Sequence, residues 1–467
     1  YGGFGTGTKV TINSTRTGSM RQFIHHDPHS YYSASSLAAI TDATSAELSE
    51  AQLMETKYKH PSHDLGGYYQ MLSLQGEIIV NGGYMMLVGT QGHSGRASNV
   101  YVMNSGDIKI NGNSNAVFGY TNANDTAKRY YYVDNLSGGN ITVTGDKNAV
   151  IAMSKTSANH VHNFRNNGNI SINGDGNAGV YIVQNINDGT IDLQTPITIT
   201  GGTKNAGIFH VANGTNNMNP ESLLNVSITG GNGNVGYYST HAQTLLSTGV
   251  NNTNNYSHIF ELSGGTGNAG VLSAAALNIG NGLITLSGGT GNVGLVAGSG
   301  NLISTGTVNI TGGTSNVGVI SENGRTASVG NLTSTGTINN AIGLFASGSG
   351  SVANVTTDID MKGLTVTGAN TGNKNNTMAA FAESNGIINI NNSTLGTSAS
   401  PDIEVTGMAL TDASSMYRGI GLMADGGTIN VLSPVYIKVT NGAAGIASIN
   451  TNGNINIAAG STIEVDN

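Results

Sequence analysis

A unit near residue 300 repeats almost unchanged, and it constrains the fold more than any other feature. The stretch Gly306-Thr-Val-Asn-Ile-Thr-Gly-Gly-Thr-Ser-Asn-Val-Gly-Val319 has a near copy from Gly282, reading Gly-Leu-Ile-Thr-Leu-Ser-Gly-Gly-Thr-Gly-Asn-Val-Gly-Leu. The two starts lie 24 positions apart. In each copy apolar residues alternate, Gly-Gly interrupts them, and a short apolar run follows Asn. That pattern is strand, turn, strand. A third short strand closes the unit, as in Leu302-Ile303 or Ser328-Val329. One unit cannot bury both faces of such short strands. Stacked copies give every strand a hydrogen-bonded neighbour and build a continuous core, so a period of roughly 20–30 residues marks a solenoid. The expected fold is all-β, a right-handed parallel β-helix of about 12–14 coils.

The strands can be followed along the chain. First strands read Gly76-Glu-Ile-Ile-Val, Gly106-Asp-Ile-Lys-Ile, Gly139-Asn-Ile-Thr-Val and Gly168-Asn-Ile-Ser-Ile. The series runs on through Thr195-Pro-Ile-Thr-Ile, Leu224-Asn-Val-Ser-Ile and His258-Ile-Phe-Glu-Leu to Ser461-Thr-Ile-Glu-Val465. Alternate Ile, Val and Leu should point inward. Second strands follow Asn177, Asn205, Asn234, Asn268, Asn292 and Asn316. Asn tolerates left-handed backbone geometry and bonds well in turns. These six side chains are expected to stack as a structural ladder, with the paired Gly before them relieving a tight corner.

Residues 1–75 depart from the repeat. One strand candidate, Lys9 to Asn13, follows a Gly-rich lead. Ser45 to Met54 has good helix propensity, so 1–75 is expected to be a non-repeating, partly helical cap on the first coil. The coils are expected from Gly76 to Asn467. Where a coil exceeds 24 residues, the surplus must loop outward. The clearest inserts are 122–135, 210–222, 239–258 and 372–376, and loops on a rigid scaffold suit binding. The chain opens on Tyr1, with neither a start Met nor a signal peptide, and it ends on a strand. A processed piece of a longer chain is expected.

Composition narrows the classes. Charged residues make up 9% and the net charge is −8, so no polycationic face for nucleic acid exists. No run of about 18 apolar residues offers a membrane-spanning helix.

Three groups of candidate residues stand out. His25, His26, His29, His60 and His63 carry ligand types that suit zinc or nickel, although their spacing follows no metal motif. The bland alternative is a polar cap with surface histidines. Lys128, Arg129, Tyr130, Tyr131 and Tyr132 mix cations with aromatic rings, and Tyr237, Tyr238 and Tyr256 sit near other inserts. Such rings suit a sugar or protein contact, or they simply cover the solenoid edge. Carbohydrate hydrolysis needs paired carboxylates. The 26 acidic residues are scattered, and Asp-x-Asp occurs once, at Asp358-Ile-Asp360. No catalytic residue and no cofactor is expected.

The Gly-Gly-Thr-x-Asn-Val-Gly units and strands such as Gly427-Thr-Ile-Asn-Val431, in an Asn- and Gly-rich chain without Cys or Trp, resemble the passenger domains of bacterial type V autotransporters. The texture is most similar to the very large outer-membrane adhesins of fusobacteria. The resemblance covers about Gly76 to Asn467 and carries over no functional residue. It implies a Gram-negative cell-surface protein, exported through a C-terminal translocator β-barrel that this chain does not contain. It also implies adhesion to glycan or protein receptors on host cells or partner bacteria. The alternatives are a polysaccharide-degrading enzyme and a stalk that binds nothing.

Overall fold

The computed structural model describes residues 2–4, 6–14, 21–26, 68–91, 98–121, 129–153, 160–182, 189–211, 222–245, 258–366, 377–407, 419–441 and 444–466. Among them there is no helix, and every strand ladder is parallel. The chain divides into two compact units. One comprises Tyr1–Val226 with Leu245–Thr253, the other Ser227–Thr244 with Asn254–Asn467. Each is a parallel β-helix whose coils have three faces.

In the first unit the Ile-x-Ile strands build the first face. Glu77–Gly82, Asp107–Ile110, Asn140–Val143, Asn169–Ile172 and Ile197–Ile199 pair in register. Their burial alternates as expected, with Ile78, Ile108, Ile141 and Ile170 at 2% exposure or less. The strands that follow an Asn, together with Met85–Gln91 in register with them, build the second face, through Ala116–Thr121 to Ala206–His210. Tyr68–Leu74, Ser98–Asn104, Arg129–Asn135 and His160–Asn166 build the third.

The ladders begin before Gly76. Gly2–Phe4, Lys9–Ser14 and Arg21–His26 pair in parallel with the three strands of the following coil. The strand expected at Lys9 is therefore present, together with two that the repeat did not reveal. The expected helical segment, 45–54, lies outside the described residues. The expected insert 122–135 also divides. Arg129–Asn135 is a ladder strand, and only 122–128 lies outside the described residues. The signal was in the alignment of Val133-Asp-Asn135 with Val102-Met-Asn104 and Phe164-Arg-Asn166.

In the second unit the same three faces recur. Two strands run through a corner. Thr326–Ser334 pairs with Leu302–Ile303 at one end and Thr307–Ile310 at the other. Val352–Thr365 does likewise with Ile387–Ile390 and Ile403–Thr406. Inward positions are filled by side chains such as Ile284, Val308, Leu332 and Ile359, at 1% exposure or less.

The Asn ladder exists, but its bonds differ from the expected side-chain stack. The backbone N–H of Asn268 donates to Oδ1 of Asn292 at 2.9 Å, and Asn234 donates to Asn268 and Asn177 to Asn205 at 2.8 Å each. The amide nitrogens turn the other way. Nδ2 of Asn316 donates to the carbonyls of Gly288 and Gly312 at 3.1 and 2.9 Å. The left-handed residue is the one before each Asn. Gly233, Gly267, Gly291 and Ser315 have φ between 56° and 64°. Side-chain to side-chain Asn stacks occur elsewhere. Asn104, Asn135 and Asn166 bond in series at 2.8 Å inside the first unit. Asn354, Asn389, Asn430 and Asn456 do so on the second, at 2.8–2.9 Å.

Candidate binding groove

Where the coil after Ile387–Ile390 reaches the first face, it leaves the three-sided path. Residues 391–402 form an excursion before Ile403–Thr406 resumes the ladder. Side-chain caps replace the missing ladder bonds. Asn392 Nδ2 donates to the carbonyls of Thr394 and Pro434 at 2.8 and 3.2 Å. Thr397 and Ser400 exchange backbone bonds of 2.9 and 3.0 Å. Asp402, buried, accepts the backbone N–H groups of Gly396 and Tyr436 at 2.9 and 2.8 Å. Lys438 donates to the Ser398 carbonyl and pairs with Glu464, both at 3.3 Å. Glu464 accepts the Tyr436 hydroxyl, which raises the phenol pKa and holds the carboxylate below its ordinary value.

This braced excursion is one wall of an open groove of about 900 Å3. Its floor is the outward side of the first face. Leu283, Thr307, Asn331 and Asp358 stand in one column, and Asn309, Thr333 and Asp360 in the next. Strand alternation places Asp358 and Asp360 on the same side, about 6.6 Å apart along the chain. Thr333 donates to Asn309 at 3.1 Å. Ser393 N–H donates to Asp358 at 2.6 Å, which ties the wall to the floor. Lys362 pairs with Asp360 at 2.8 Å and donates to Ser400 at 3.2 Å. Leu395 stands on the rim, 45% exposed. The Asp-x-Asp pair was visible in the sequence, but the wall was not among the expected inserts. Its signal is the 41-residue step from Asn389 to Asn430, against 24 in the repeat at Gly282.

The expected tyrosine site is not assembled as a surface. Tyr131, Tyr132 and Tyr237 are buried, at 6%, 2% and 0% exposure, so these rings have almost no surface for a receptor. Burial also pushes the Tyr237 phenol pKa up. Tyr132 stacks on Tyr101 with ring centres 4.6 Å apart, and Tyr131 meets His162 at 5.3 Å. Both line a small cavity with Val102, Phe118 and Ile151. Arg129 and Tyr130 lie in the same ladder strand. Lys128 and Tyr256 lie outside the described residues. Tyr238, in the second unit, is half-buried and faces outward.

Tyr238 begins a surface that lies outside the other expected sites. In register with it stand Leu272, Val296, Ile320, Phe345 and Phe381 on successive coils. All are half-buried, while their inward neighbours Tyr237, Val271, Leu295, Val319, Leu344 and Ala380 are fully buried. The signal for Tyr238, Leu272, Val296 and Ile320 was an apolar residue four positions after a ladder Asn, whereas Ala341 and Thr377 hold that place before Phe345 and Phe381.

Of the expected metal ligands, His25 and His26 belong to the strand Arg21–His26, and His29, His60 and His63 lie outside the described residues. Among the described residues no group of three or more His, Asp or Glu is placed to hold a metal. No family model matches this chain, and no curated protein or solved structure does either.

Proposed function

We propose that this chain is an adhesive surface protein of a Gram-negative bacterium, in which the β-helix is a stiff platform and a glycan or protein receptor is bound on its flank. The observation that carries this reading is the groove beside Asp358 and Asp360. It is wide, lined by hydrogen-bonding side chains, and walled by a segment whose polar groups are capped internally. A stalk would have no use for a coil that departs from the ladder and is braced at such cost in regular pairing. The autotransporter-like texture of the repeats supports the location at the cell surface, with export through a translocator barrel in the parent chain. Many copies on one cell would turn weak single contacts into avidity.

The test is binding of purified, folded 1–467 to epithelial cells and partner bacteria, with and without competing simple sugars. Saturable binding is expected, and a folded sample that binds neither cell type would overturn the reading. A polysaccharide-cleaving enzyme is the second reading, favoured by one observation. Asp358 and Asp360 bring two carboxylates to the groove, and glycoside hydrolysis uses two carboxyl groups. That reading requires new reducing ends to appear when a polysaccharide is incubated with the chain.

A further inference from the structure

We infer that the groove selects uncharged oligosaccharides and turns away sialylated, uronic and sulfated ones. This inference rests on the reading of the groove as the binding place. Its charged lining residues are Asp358, Asp360, Asp402 and Lys362, three carboxylates against one ammonium. The ammonium is already engaged by Asp360 and Ser400. Asp402 is engaged too, by two backbone N–H groups. Among the described lining residues no unengaged cation is left for an anionic sugar, and the net negative charge of three carboxylates against one ammonium repels it on approach.

The remaining lining suits a polyol. Carboxylates and side-chain amides accept hydroxyl protons, and Thr hydroxyls donate or accept as needed. The columns Thr307–Asn331–Asp358 and Asn309–Thr333–Asp360 repeat such groups at every coil. The spacing between coils is about 4.8 Å, close to the length of one sugar ring. A chain of sugars lying along the stack would therefore meet a fresh pair of polar side chains at each ring. Leu395 and Leu283 supply apolar contact at the edges, and among the described lining residues there is no aromatic ring. Hydrogen bonding without ring stacking gives weak binding at a single site, so several sugar units are needed.

The experiment uses the full chain on an array of neutral oligosaccharides of two to six units, beside sialylated, glucuronate-containing and sulfated ones of the same lengths. Calorimetry on the tightest neutral probe follows. Two variants accompany the parent. Thr333→Arg places a long side chain on the groove floor. Thr285→Arg alters the same outward column two coils away, outside the groove, and controls for folding. Neutral probes are expected to bind more tightly with length. Thr333→Arg should weaken them at least tenfold, and Thr285→Arg should leave them within twofold. Preference for acidic probes, or neutral binding unchanged in Thr333→Arg, would overturn the inference. So would the absence of any glycan binding by a chain that still adheres to cells, which would leave the adhesive reading standing. Failure to adhere to cells, with neutral glycans still bound, would overturn the adhesive reading alone.

Discussion

The backbone N–H of Asn292 donates to Oδ1 of Asn316, 24 residues later, at 2.9 Å. Asn268, Asn292 and Asn316 each thereby satisfy a backbone donor of the coil behind, while their own Nδ2 groups satisfy Gly carbonyls at the same corner. Asn316 is 1% exposed, so water cannot replace it. An unmet buried hydrogen-bonding group costs about 1–3 kcal/mol. Asn316→Ala should therefore destabilise its coil by about 2–4 kcal/mol. Hydrogen exchange should show the loss first at Asn292 and its neighbours, because a solenoid distributes stability locally. Asn316→Asp should be as damaging, since it turns an acceptor toward two carbonyls.

Glycines at the corners are required for two separable reasons. At Gly306 an added Cβ would stand 2.0 Å from the carbonyl oxygen of Gly282 in the preceding coil. Gly306→Ala must push two coils apart and should cost about 2–4 kcal/mol. At Gly291 nothing lies within 4 Å, but φ is +64°. Gly291→Ala should cost only about 1–2 kcal/mol, the left-handed penalty, and Gly291→Asn less. Equal losses in thermal unfolding would contradict the distinction.

Acid should loosen the first coil. Glu77 bridges Lys9 and Lys109 at 2.7 and 2.6 Å, across three consecutive coils. Hydrogen bonds from Lys109 and Lys9 hold its carboxyl down to about 2, from an ordinary value of 4.5. Because the folded pKa is depressed, the contribution is complete above about 4.5 and is lost as the pH falls through about 2. Carboxyl resonances should give Glu77 a midpoint near 2, and Lys109→Met should move that midpoint up toward 4.5. A midpoint near 4.5 in the parent chain would remove the bridge from the account.

Asp134 and Arg165 form a buried ion pair on the third face, with side chains 4% and 6% exposed, and Asp192 is the next residue in the same register. Removing one partner of a buried pair costs about 3–5 kcal/mol. Arg165→Met should fall in that range by denaturant unfolding. Asp134→Leu combined with Arg165→Met should recover a large part of it, because an apolar pair of similar size replaces the ions.

Alternation in strands such as Gly282–Leu286 made the first face legible, because period-two burial leaves a direct mark on the residues. The second face was legible through the Asn that precedes it. Its outward apolar column was not, since Val296 or Phe345 reads simply as part of a buried run. The strand Arg129–Asn135 on the third face of the first unit was not legible, because Tyr131 on one side and Tyr132 and Asp134 on the other are all buried. Tyr132, Asp134 and Arg165 show no simple alternation of apolar and polar types. The groove needed two facts from distant sequence. Asp358 and Asp360 were visible as a motif, but only stacking brings Asn309 and Thr333 beside them and sets the segment 391–402 across the way.

The most direct test of the central claim is saturable adhesion of labelled 1–467 to cells, compared among the parent chain, Thr333→Arg and Thr285→Arg, all verified as folded. The expected result is saturable binding by the parent and by Thr285→Arg, and a loss of at least tenfold in affinity for Thr333→Arg. Equal binding by all three would place adhesion elsewhere on the molecule and contradict the role of the groove. No binding by any of them would contradict the adhesive function itself.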